Sequence, residues 1–117
     1  MIHDVVCHNG RAFRIHELGT TFCTDVLDNL ADTAALRPYP LSCELLEMNG
    51  FRYDEDEEVW RLYEPDGIFY TLELGTNDDN SLNIKEVPNT KLIYVHELQH
   101  VLRLCDKVDL ANNFIVY

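Results

Sequence analysis

Val59-Trp60-Arg61-Leu62-Tyr63, then Pro65-Asp66-Gly67, then Ile68-Phe69-Tyr70-Thr71-Leu72-Glu73-Leu74, is the stretch whose reading decides the fold. Both runs are rich in aromatic and β-branched residues, which suit a pleated, half-buried surface. The Pro-Asp-Gly between them supplies a preset φ and a position that tolerates positive φ, so the chain reverses there. Ile68–Leu74 is the most β-prone segment of the chain. Working outward, the strand pattern begins at Phe51, and an acidic loop, Asp54-Glu55-Asp56-Glu57-Glu58, precedes the pair. Ser81-Leu82-Asn83-Ile84-Lys85-Glu86-Val87 follows across a polar loop, Gly75–Asn80, and alternates with period two. The block predicts an antiparallel meander of three or four strands.

Around the meander the pattern changes. Ile2–Cys7, the Asn9-Gly10 turn pair and the alternating run Arg11–Leu18 predict an N-terminal hairpin. Thr21–Val26 adds a third strand, and Asp28–Leu36, with three alanines and no period, reads as a connection. Pro38 and Pro40 hold residues 37–42 extended and outside regular structure. Ser42 is a helix N-cap for a short helix over Cys43–Asn49, with Gly50 as its left-handed terminator. A second, amphipathic helix covers roughly Leu92–Cys105, and Asn113–Tyr117 reads as a last short strand. The expected fold is therefore α+β: a single domain over residues 1–117, with antiparallel hairpins and meander, one short helix and one C-terminal amphipathic helix.

Composition narrows the functional classes. The chain has 117 residues, 9 Lys+Arg against 21 Asp+Glu, and a formal charge of −12. Direct nucleic-acid binding is disfavoured, because it needs clustered cations against phosphates. No apolar run approaches the ~20 residues of a membrane span, and the first residues lack the pattern of a secretory signal. The expectation is a cytoplasmic protein whose Cys7, Cys23, Cys43 and Cys105 are reduced thiols, since no Cys-x-x-Cys occurs. A strongly acidic balance points to a basic protein partner, or to an acidic mimic of DNA that occupies a nuclease or repressor.

One motif carries specific chemistry. His96-Glu97-Leu98-Gln99-His100 is H-E-x-x-H, which on a helix sets two imidazoles one turn apart as zinc ligands with the glutamate as base on a metal-bound water. Chance alone supplies about 0.02 matches in a chain of this composition, so context must weigh the reading. On a helical wheel, Tyr94, Val95, Val101, Leu102 and Cys105 fall within about 60° of Leu98 and form the core stripe. His96 and His100 fall at about 160° and −160°, on the side shared by Arg103 and Lys107. Cations beside the histidines oppose a bound Zn²⁺. A third ligand in the downstream pattern is also missing, since Arg103 and Asp106 stand where Gly and His would be needed. The wheel favours two surface histidines on an amphipathic helix, with no metal or other cofactor and no catalytic residue. A small zinc-dependent hydrolase, with His96 and His100 as ligands and Glu97 as base, is the alternative.

Other clusters read as architecture. Asp54–Glu58 lacks the alternation and glycine of a calcium loop and reads as a solvated hairpin tip. Asn77–Asn80 reads as a turn. Trp60, Tyr63, Phe69 and Tyr70 resemble a base-stacking platform, yet a sheet core and its rim need the same residues.

Two segments carry a family likeness. Arg37-Pro38-Tyr39-Pro40-Leu41 leading into Leu45-Leu46-Glu47-Met48-Asn49-Gly50-Phe51, and the helix start Ile93-Tyr94-Val95-His96-Glu97-Leu98-Gln99-His100, together resemble a family of small uncharacterised proteins of Bacteroides-type bacteria and their prophages. In that family's pattern, Gln commonly stands at the position of Glu97 and Asn at that of His100. The resemblance implies hairpins before the short helix and a meander after it. The resemblance supplies no biochemical activity: it points to an accessory protein of a phage or mobile element, and it speaks against a zinc-protease role for Glu97. The expectation from all these readings together is a non-enzymatic accessory protein or protein-interaction module.

Overall fold

The computed structural model describes residues 3–8, 11–18, 22–25, 30–32, 36–87 and 89–116. Its elements run in the order β1 (Val5–His8), β2 (Arg11–Arg14), β3 (Glu17–Leu18), β4 (Phe22–Thr24), β5 (Leu30–Asp32), β6 (Arg37–Pro38), α1 (Cys43–Met48), β7 (Phe51–Asp54), β8 (Val59–Tyr63), β9 (Tyr70–Thr76), β10 (Leu82–Ile84), α2 (Val95–Leu104) and α3 (Val108–Asn112). The fold class is α+β, and every strand pairing is antiparallel. The backbone groups into two compact units, Leu41–Ile93 and the segments Met1–Pro40 with Tyr94–Tyr117.

The Leu41–Ile93 unit is the meander with its capped helix. Ser42 has extended φ, and its hydroxyl accepts the Leu45 N–H at 3.3 Å. That bond satisfies one of the donors a helix start leaves free. Leu45 and Leu46 are buried, the buried Asn49 donates its side-chain amide to the Leu45 carbonyl at 2.8 Å, and Gly50 takes φ +92°. The chain then enters a four-stranded sheet in the order β10-β9-β8-β7. Phe51, Trp60, Leu62, Leu72 and Leu74 are buried, and the register sets Phe51 opposite Leu62 and Leu62 opposite Leu72.

The predicted edges shift in this unit for identifiable reasons. Ile68 and Phe69 stay outside β9, because Asp66 Oδ1 accepts the N–H groups of Ile68 and Phe69 and holds them in the turn. Gly75 and Thr76 extend β9, paired opposite Asn83 and Leu82. Leu92 is not helical. It exchanges two backbone hydrogen bonds with Leu82, of 2.8 and 3.0 Å.

In the other unit, β2-β1-β6 and β3-β4-β5 form two three-stranded sheets. The Asn9-Gly10 turn lies outside the described residues, while His8 and Arg11 on either side are paired. The run 11–18 is two strands rather than one. The Ile15 N–H donates to the Asp4 carbonyl at 3.0 Å, whereas the next N–H, of His16, donates to the Thr24 carbonyl at 2.6 Å, so adjacent residues belong to different sheets. The expected connection 28–36 contains β5, whose residues pair with β4 despite low intrinsic β preference. Pro38 does sit in a strand, the two-residue edge strand β6, where a missing N–H is tolerated.

The C-terminal helix begins at Val95, and Val95, Leu98, Val101 and Leu102 are buried as the wheel requires. The expected final strand is absent: residues 108–112 are the helix α3 and residues 113–116 have no regular structure. Phe114 is nonetheless fully buried. Among the described residues, no helix is long and apolar enough to cross a membrane.

Candidate functional site

The H-E-x-x-H segment occupies the first turn and a half of α2, and four of its five residues have local structural tasks. Glu97 is the third helical residue after the N-cap Tyr94, and its Oε1 accepts the Tyr94 N–H at 2.9 Å. A carboxylate there satisfies a backbone donor and meets the positive end of the helix dipole. The His96 ring stacks on Tyr94, with centroids 6.0 Å apart and planes at 11°, and its Nδ1 is buried without a hydrogen-bond partner among the described residues. Leu98 is in the core. His100 is exposed.

Gln99 is the residue that pattern reading missed. Its side chain is fully buried, at 0% exposure. Oε1 accepts the Val5 N–H at 2.9 Å, and Nε2 donates to the carbonyls of His3 (2.9 Å) and Ala111 (2.8 Å). One amide thus joins β1, α2 and α3. The sequence signal was its position, 100° from Leu98 and next to the core stripe.

Arg103 is not a free cation beside the histidines. Its Nη1 pairs with Asp4 Oδ1 at 2.8 Å, and both side chains are largely buried. The local basicity read from the wheel is therefore offset from β1's side. Among the described residues, no group of three His, Cys, Asp or Glu side chains is placed to hold a metal ion. Cys7, Cys43 and Cys105 are in no disulfide.

Residues 39–41 and 93–95 run side by side. Pro40 bridges Tyr94, the Val95 N–H donates to the Tyr39 carbonyl at 2.8 Å, and the Leu41 N–H donates to the Ile93 carbonyl at 2.9 Å.

The meander presents a different surface. Its buried face takes Trp60, while Tyr63 and Tyr70 lie on the other face with ring centroids 6.2 Å apart. Arg52 stands 5.0 Å from the Tyr63 ring centre and Arg61 stands 5.1 Å from that of Tyr70. Arg61 also donates to Glu73 at 2.7 Å and pairs with Asp54. These carboxylates, Glu73 first, hold the guanidinium firmly protonated, and the Glu57 N–H together with Arg61 keeps the Asp54 carboxyl below the usual range. The imagined platform is thus divided: Trp60 is core, Tyr63 and Tyr70 are an outer ladder, and Phe69 lies beyond the strand.

At one end of this ladder, Ile68 (73% exposed), Phe69 (67%) and Tyr70 (47%) stand in solvent in succession. The turn beneath them is ordered, since the Glu64 N–H donates to the Phe69 carbonyl at 2.7 Å and the Gly67 N–H to the Glu64 carbonyl at 2.8 Å. The β7–β8 turn exposes Glu55, Asp56, Glu57 and Glu58, with Asp54 Oδ1 accepting the Asp56 and Glu57 N–H groups. Asn77–Asn80 is a turn as expected, with Asn80 at φ +71° and Asp79 paired to Lys91 at 2.6 Å.

Comparison with known proteins finds no matching family model, curated protein or solved structure.

Proposed function

We propose that the chain is a non-enzymatic protein-interaction module that docks a basic partner protein through the exposed edge of its meander. The observation that carries this reading is the succession Ile68-Phe69-Tyr70, three large apolar side chains displayed on a hydrogen-bonded turn. Exposed apolar side chains on a rigid support mark interaction surfaces, and aromatic residues are the usual anchors. The Arg52–Tyr63 and Arg61–Tyr70 pairs extend the surface with groups enriched at interfaces.

The choice of a basic partner rests on charge. Asp66 lies in the anchor's own turn, Glu55–Glu58 are exposed at the opposite end of β8, and the whole chain carries −12. Such a field speeds encounter with a cationic surface and weakens with salt. The prophage-family likeness supports reading the module as an accessory protein of a phage or mobile element. The engagement of Glu97 with the Tyr94 N–H favours a structural over a catalytic role for the H-E-x-x-H glutamate.

The test is affinity capture from the source cells, with identification by mass spectrometry, using the wild-type chain and an Ile68→Ser/Phe69→Ser variant whose fold is verified by circular dichroism. A basic protein held in stoichiometric amount by the wild type, lost from the variant and released by salt is the expected result. Identical retained proteins from both chains, or a principal partner that is acidic, would overturn the proposal.

A further inference from the structure

A cavity of about 530 Å³ lies in the unit built from both chain termini, lined by His3, Arg14, Ile15, His16, Asn112 and Asn113. Its volume falls within the ordinary range of small-molecule sites. Among the described residues that line it are one arginine and two histidines and no carboxylate, in a chain with 21 Asp and Glu against 9 Lys and Arg and 5 His.

Arg14 is the centre of the arrangement. Its two Nη atoms donate to the carbonyl oxygens of Asn112 and Phe114 at the end of α3. Those acceptors use two of the five guanidinium N–H groups and carry no formal charge, so they leave the positive charge uncompensated among the described residues. Among the described residues no carboxylate pairs with Arg14, although Arg61 and Arg103 both have carboxylate partners. A half-buried cation without a counter-ion is costly unless something anionic completes it. The imidazoles of His3 and His16 make no hydrogen bond or ion pair with other described residues, and each retains a donor. His3 is held at φ +70°, a conformation that costs an L-residue on the order of 1–2 kcal/mol and that the pairing of its N–H with the Ile15 carbonyl at 2.6 Å maintains.

We infer that this cavity is an oxyanion site that binds a phosphate group, either free or as the monoester of a small molecule. The guanidinium alone would satisfy a carboxylate. A cavity lined by a guanidinium and two histidines offers several N–H donors, which suits the three terminal oxygens of a phosphate. The space exceeds that of the phosphate itself, leaving room for the rest of a small ester. The site is distinct from the meander surface and does not depend on it.

The test is titration of the ¹⁵N-labelled full chain with inorganic phosphate at constant ionic strength, beside an identical titration with acetate. Expected are saturable shifts of the Arg14, Ile15, His16, Asn112 and Asn113 amides with phosphate, and weaker or no saturation with acetate. The variant His3→Ala/His16→Ala leaves the Arg14 hydrogen bonds in place and is expected to bind phosphate about tenfold more weakly, a loss of about 1.4 kcal/mol. The exposed His16→Ala is the second arm should the double variant lose spectral dispersion, and it too is expected to weaken binding. Absent or non-saturating shifts, shifts spread over the surface, equal affinity for acetate, or unaltered phosphate affinity in a folded histidine variant would each overturn the inference.

Discussion

Replacing Gln99 by Leu removes the amide while nearly preserving side-chain volume, so little cavity is left to confuse the result. In the wild type the amide satisfies the Val5 N–H and the carbonyls of His3 and Ala111, and both Val5 and Ala111 are fully buried. A buried N–H left without an acceptor costs about 1–3 kcal/mol. Orphaned carbonyls cost somewhat less, because an unpaired acceptor is better tolerated than an unpaired donor. The sum is about 3–5 kcal/mol, against a total stability of roughly 6–17 kcal/mol for a chain of this length at typical values per residue. Urea unfolding followed by circular dichroism reads this directly. With a slope of about 1–3 kcal/mol/M, the midpoint is expected to fall by on the order of 1–3 M. Gln99→Glu sharpens the test. It keeps an acceptor for the Val5 N–H but turns a carboxylate oxygen toward two carbonyls, so burial raises the pKa of this glutamate in the folded state. The variant's deficit is therefore smallest below the unfolded glutamate pKa of about 4.3 and grows as pH rises toward the folded value. A Gln99→Leu cost below about 1 kcal/mol, or a Gln99→Glu deficit independent of pH, would refute the role assigned to this amide.

The other predictions rest on single bonds. Ser42→Ala is expected to cost about 1 kcal/mol by loss of the Leu45 cap, read from the urea midpoint. Glu97→Gln, which keeps an oxygen for the Tyr94 N–H, should cost less than Glu97→Ala, expected at about 0.5–1.5 kcal/mol by the same measurement. Lys91, followed by the Ser81 hydroxyl and N–H, holds the Asp79 carboxyl far below the usual range. Its contribution is present above the unfolded carboxylate pKa of about 3.9 and lost as pH falls through the folded value. In carbon-detected titration Lys91→Met should raise the Asp79 midpoint, and an unmoved midpoint would count against the pairing. Elemental analysis of untagged protein is expected to find zinc well below equimolar, with His100→Ala leaving the metal content unchanged. Near-equimolar zinc that disappears in that variant would instead support the hydrolase alternative.

What was legible in the sequence is what short-range chemistry determines. The meander follows from alternation and turn residues, and α1 follows from Ser42 and Gly50. The buried stripe of α2 follows from a helical period. The losses come where a partner distant in sequence decides the state. β5 becomes a strand because β4 is beside it, and Pro38 joins a sheet because β1 presents an edge. Ile15 and His16 diverge because their N–H groups find acceptors in different sheets. Ile68 and Phe69 have strong β character, yet a single carboxylate, Asp66, holds them in the turn. The Arg14 cavity was invisible for the same reason, since its walls come from residues about a hundred positions apart.

The H-E-x-x-H segment shows how a catalytic spelling can arise from folding requirements. Leu98 is required by the core and Gln99 by three backbone groups, and His96 is a flat surface for Tyr94. Glu97 accepts the Tyr94 N–H, a task that a glutamine oxygen serves as well. Position 100 is exposed and makes no comparable demand. His100 is therefore the letter of the metalloprotease signature that the fold constrains least. A zinc site requires the reverse, with strict demands at 96, 97 and 100 and latitude at 99. Comparing the tolerance of Gln99 with that of Glu97 and His100 thus separates a structural origin of the motif from a catalytic one without assuming any substrate.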